Sequence, residues 1–92
     1  MITVNIAGFL TDFTAGRHQI PLEESPTTVG EALVRLWTLH VGLRDRVVNE
    51  KGEVRLHVNI FLNNENIRHQ KGLNTSLSEG DEITILPSVS GG

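Results

Sequence analysis

The chain ends on Ser88-Val89-Ser90-Gly91-Gly92, small residues with little to bury, and the reactive group there is the α-carboxylate of Gly92. Gly91 and Gly92 have no Cβ, so they can thread a narrow channel in a partner and reach φ/ψ values that other residues avoid. A partner enzyme can then bring that carboxylate to the α-phosphate of ATP without a side-chain clash. Taken alone, a terminal Gly-Gly also describes an ordinary frayed end. The residues upstream decide between the two.

Other chemistry falls away by residue type and spacing. The 92 residues include no cysteine, which removes a disulfide scaffold, a thiolate nucleophile and a cysteine-based metal site together. His18, His40, His57 and His69 form no i, i+4 pair and have no carboxylate motif beside them, so structural or surface roles are expected. No Gly-x-Ser-x-Gly is present and no Ser lies close to a His. Gly72 and Gly80 are too isolated for a phosphate loop. The chain is therefore expected to be no enzyme and to hold no metal or cofactor itself. A net charge of −3, with acidic and basic residues well mixed, argues against a nucleic-acid partner. No apolar run approaches the ~20 residues of a membrane span. Met1 leads directly into a strand pattern without a signal-peptide signature, and a cytoplasmic protein is expected.

The elements that must carry the tail follow from periodicity. Ile2, Val4 and Ile6 alternate with Thr3, Asn5 and Ala7, a half-buried strand. Thr11-Asp12 and Ala15-Gly16 read as a turn into a second strand with His18, Ile20 and Leu22 in phase, and Pro21 puts that strand at a sheet edge. Thr28 and Glu31 form a T-x-x-E capping box, and Val29, Ala32, Leu33, Leu36, Trp37 and His40 make one helical stripe. Leu43 to Val48 reads as a short helical turn and Asn49 to Gly52 as a loop. Glu53 to Leu62 is expected as the longest strand, with Val54, Leu56, Val58, Ile60 and Leu62 inward. Asn63-Asn64 suits a tight turn with φ > 0, followed by a short strand around Asn66 to Arg68. Leu77 is expected to plug the core, and Ile83 and Ile85 lie in a buried last strand that Pro87 ends. Phe61 and Leu86 fall in the opposite phase, on the sheet face away from the helix, with Arg68 at the rim.

This order, hairpin, helix, long strand, short strand, last strand, is that of an α+β, β-grasp (ubiquitin-like) fold with one long helix across a mixed sheet. Residues 1–87 are expected to form the domain and 88–92 a flexible tail. Ninety-two residues make one domain that buries roughly 60–65% of its unfolded surface.

With these features in place, the chain resembles the MoaD/ThiS family of ubiquitin-like sulfur carriers. The resemblance rests on Val58-Asn59, Asn63-Asn64, Ile67-Arg68, Leu77, Gly80-Asp81-Glu82, Leu86-Pro87, Val89 and Gly91-Gly92. The register matches across the C-terminal third and the topology over the whole chain. The tail Thr84-Ile-Leu-Pro-Ser-Val-Ser-Gly-Gly92 and the long connection from Gly42 to Glu53 are most similar to the CysO-like branch of cysteine biosynthesis.

The resemblance implies that this chain is a substrate. A ubiquitin-activating-like adenylyltransferase/sulfurtransferase would adenylate Gly92 with ATP, while Gly91, Ser90 and Val89 enter its active site. A sulfur donor would then convert the acyl-AMP to a thiocarboxylate. In the CysO-like branch that sulfur attacks an aminoacrylate held by a PLP-dependent synthase, and a metalloprotease later releases the amino acid. ATP, PLP and metal would all belong to partners. Family docking also implies a partner interface at Phe61, Leu86 and Arg68. The final acceptor stays open, with molybdopterin, thiamin, a siderophore or a tRNA base beside cysteine, as do two other functions: a ubiquitin-like modifier joined to lysines through Gly92, and a binding module with an inert tail.

Overall fold

The structure is a computed structural model that describes residues 1–87. Five strands, β1 (Ile2–Ile6), β2 (Gln19–Leu22), β3 (Val58–Leu62), β4 (Glu65–Asn66) and β5 (Glu82–Pro87), form one mixed sheet in the order β2-β1-β5-β3-β4. β5 runs parallel to β1 and antiparallel to β3. The strand that leads to the C-terminus thus has a hydrogen-bonded neighbour on each side. Helix α1 (Val29–Leu39) lies across one face, and a four-residue helix α2 (Arg44–Val47) follows a short 3-10 turn. This is the β-grasp arrangement that the element order implies.

The core is aliphatic. Ile2, Val4 and Ile6 of β1, Ile83 and Ile85 of β5, and Val58 and Ile60 of β3 join Val29, Ala32, Leu33 and Leu36 of α1 in one buried cluster. Fully burying each such Val, Leu or Ile side chain is worth about 1.5–3 kcal/mol. Trp37 and Leu77 are partly buried against the same cluster. The helix begins as the sequence indicates, with the Glu31 N–H donating to Thr28 Oγ1 at 3.2 Å. The return half of the box differs: the Glu31 carboxylate accepts from the Thr27 hydroxyl at 3.0 Å.

Three expectations change. The β1–β2 connection is more than a turn, since Gly8–Phe13 winds into a 3-10 helix that buries Leu10. Glu53 to His57 lies outside the sheet. Val54 makes an isolated bridge with Val48, and Leu56 is 93% exposed. The Arg55 N–H donates to Val47 O at 3.0 Å, so this segment follows α2 before β3 begins. The short strand at Asn66 is only Glu65–Asn66, because the Asn66 side chain caps a 3-10 turn over Ile67–His69. Pro87 ends β5, as expected.

Candidate functional site

β5 delivers the chain to its C-terminal segment, so the site is built outward from Pro87. Ile85 O accepts from the Ala7 N–H at 3.1 Å. Alternation along a strand therefore turns the Pro87 nitrogen toward β1 as well. Its missing N–H falls where β1 has already turned away at Gly8. On the other side Pro87 stays in register with Val58. Gly8 has φ +63°, and a Cβ there would lie 3.1 Å from Pro87 Cγ. Both the left-handed conformation and the close approach favour glycine at that position.

Phe61 and Leu86 lie where their phase puts them, on the face away from α1. In the β3–β5 register Phe61 faces Thr84 and Asn59 faces Leu86, which makes the two apolar residues diagonal neighbours. Leu86 is 38% exposed and Phe61 half-buried. Arg68 is exposed but not free. Its Nη1 donates to Asn59 Oδ1 at 2.8 Å, and its Nη2 donates to Val58 O at 2.9 Å and Arg55 O at 3.0 Å. The guanidinium ties the start of β3 to the 3-10 turn after β4.

The Gly80-Asp81-Glu82 motif proves to be a knot. Asn63, at φ +57°, accepts from the Glu82 N–H through Oδ1 at 3.1 Å and donates through Nδ2 to Asp81 Oδ1 at 3.2 Å. Asp81 Oδ2 accepts from the Ser78 N–H at 2.8 Å. The Asn63 turn and the acidic turn thus lock the start of β5 to the end of β3, and fix the register that aims Pro87.

Val89, Ser90, Gly91 and Gly92 lie outside the described residues. Among the described residues no group of three His, Cys, Asp or Glu is placed to hold a metal ion, and no helix is long and apolar enough to cross a membrane. An open groove of about 600 Å³ runs between β2 and α1, lined by Arg17, Ile20, Leu22, Arg35, Leu39 and His40 among others. Thr38, the hydroxyl in its lining, donates to Val34 O at 3.1 Å. Sequence reasoning missed two features: the fully presented Leu56 and the Arg68 brace. An alternating pattern reads Leu56 as inward, and no local signal links Arg68 to a carbonyl 13 residues away.

The ThiS family model matches residues 4–92. The sulfur carrier protein CysO of Mycobacterium tuberculosis is 34% identical over 99% of this chain and 98% of its own length. Small archaeal modifier protein 3 of Haloferax volcanii is 38% identical over 75% of this chain and 74% of its own. Among solved structures, the CysO of Amycolatopsis orientalis in its complex with BexX superposes with a TM-score of 0.88, at 32% identity and full coverage of both chains. The β-grasp topology, the aim of β5 and these likenesses agree: the chain belongs to the ThiS family.

Proposed function

We propose that this protein is a sulfur carrier whose Gly92 carboxylate is the working group. The observation that carries the reading is the family match through residue 92, with a sulfur carrier 34% identical over nearly the whole of both chains. The carboxylate attacks the α-phosphorus of ATP on a ubiquitin-activating-like enzyme and releases pyrophosphate. A sulfide-equivalent donor then attacks the acyl carbon and expels AMP, leaving a thiocarboxylate. Adenylation is needed because a free carboxylate is a poor electrophile and AMP a good leaving group. Val89, Ser90 and Gly91 enter the partner's channel, and Phe61 and Leu86 dock the body. The thiocarboxylate next serves a sulfur-accepting enzyme of thiol metabolism, for which a PLP-dependent synthase followed by a metalloprotease is the preferred pair. In this reading ATP, PLP and metal stay on the partners, and the reactions take place in the cytoplasm.

A second reading is favoured by the likeness to the archaeal modifier protein: the same activated carboxylate ends in an isopeptide bond to lysine. Intact mass after co-expression with the activating and sulfur-donating enzymes separates them. Exchange of one oxygen for sulfur marks the carrier, high-mass adducts mark the modifier, and an unchanged mass marks an inert tail.

Deleting Gly92 leaves a carboxylate about 3.3–3.6 Å short of the reacting position. A misplacement of even ~1 Å can lower a rate ~10²-fold. ATP–pyrophosphate exchange should therefore nearly vanish with an unchanged thermal melt, and normal exchange by the truncated chain would refute the carrier reading.

A further inference from the structure

We infer that Leu56 is a preset docking knob for the adenylating partner beside the exit of the C-terminal segment, and that Arg68 is the positioning residue that holds it out. The inference rests on the carrier reading and adds to it a contact outside the sheet face.

Leu56 is 93% exposed, the most open of the large apolar residues among those described. An exposed leucine alone is ordinary. This one sits on a turn tied down on both flanks. The Arg55 N–H bonds Val47 O at 3.0 Å and Arg55 Nε bonds Asp45 O at 2.8 Å. The Val58 N–H closes the turn on Arg55 O at 3.0 Å. Arg68 Nη2 then donates to the carbonyls of both Arg55 and Val58. So constrained a backbone has little ordering left to undergo on binding, which leaves only the leucine rotamer to be fixed and lowers the cost of the contact.

Its place in the fold names the occupant. Leu56 lies two residues before Val58, the register partner of Pro87. Five residues separate Pro87 from the chain end, a reach of at most about 18 Å when fully extended. An enzyme that acts on Gly92 must bring the lip of its active site within that distance of Pro87. The 55–57 turn leads directly into Val58 and so lies within that reach of Pro87. The knob therefore fits an apolar recess at the mouth of the partner's channel.

The test uses the full chain and the ubiquitin-activating-like enzyme of the same organism, with ATP–pyrophosphate exchange followed as a function of carrier concentration. Leu56→Asp should raise KM about tenfold or more with kcat and the thermal melt unchanged. Arg68→Met should also raise KM, but much less in a Leu56→Ala background, because the two residues act through one contact. Exchange with an unmoved KM for Leu56→Asp overturns the knob alone. An Arg68→Met effect of equal size in both backgrounds overturns the positioning role. A Leu56→Asp defect confined to later sulfur delivery overturns the assignment to the adenylating enzyme. No exchange with the unmodified chain overturns the carrier reading and this inference together.

Discussion

On the sheet face turned toward α1, Val4, Ile20, Ile60, Ile83 and Ile85 are each at most 1% exposed. On the opposite face Thr3, Asn5, Asn59, Phe61 and Thr84 are half-buried, and Leu86 is open. The inner face is aliphatic throughout, and its members contribute in the same way, by leaving water and packing. The outer face is heterogeneous. Asn5 Nδ2 donates to Glu82 Oε1 at 2.9 Å, while the Phe61–Leu86 diagonal offers apolar surface. One face makes the fold; the other can differ between relatives without changing it. Chains only about a third identical that keep the same topology are what this division allows.

The largest expected effect lies on the inner face. Leu36 is 0% exposed at the centre of the α1 stripe. Leu36→Ala should lower unfolding free energy by about 2–5 kcal/mol, through the lost transfer energy and the cavity left behind. Urea denaturation measures it. A loss under ~0.5 kcal/mol, the range of ordinary surface changes, would mean that the inner face is not the cooperative core described above.

That face was also the legible part of the sequence. β1, α1 and β5 announce themselves because a period of two or 3.6 persists over their length and each has one partner layer. The same rule failed at Val54 and Leu56. Val54 is partly buried, but against Val48 and the core rather than within the sheet. Its alternation with Val58 is therefore a coincidence of two different burials, and Leu56 between them was counted in by phase. The Asn63 turn was readable because φ > 0 selects Asn or Gly, and the structure puts Asn63 there at +57°. The link from Asp81 to Asn63 and the bonds from Arg68 to Arg55 and Val58 were not readable, since they join groups distant in sequence and periodicity reports only on neighbours.

The outer face should respond in the opposite sense. Leu86→Asp removes an open apolar side chain from a position whose inward neighbours, Ile85 and Pro87, keep the strand in place. The domain should keep its melt, while affinity for the activating enzyme drops by about 2 kcal/mol, as for a central apolar anchor. Phe61→Ala should weaken binding similarly, with some loss of stability because the ring is half-buried. Titration calorimetry beside a thermal melt separates the two quantities. Unchanged affinity in both variants would remove the sheet face from the docking surface.

The smallest effect, that of Asn63→Gly, concerns the joint between β3 and β5. Asn63 meets two separable demands: a left-handed backbone at φ +57°, and a side chain that binds the Glu82 N–H and Asp81. Asn63→Gly satisfies the first and removes the second, so it should lower stability by about 1 kcal/mol, the net worth of a hydrogen bond or two in exposed surroundings. Asn63→Ala fails both and adds the left-handed penalty of roughly 1–2 kcal/mol. Equal losses in the two variants would show that the backbone conformation contributes nothing and that the side-chain knot alone sets the β3–β5 register. A loss only in Asn63→Ala would show the reverse, that the turn fixes the register and Asp81 is a passenger. The ordering Ala below Gly below the natural residue is the outcome expected if both hold the strand that aims the C-terminal segment.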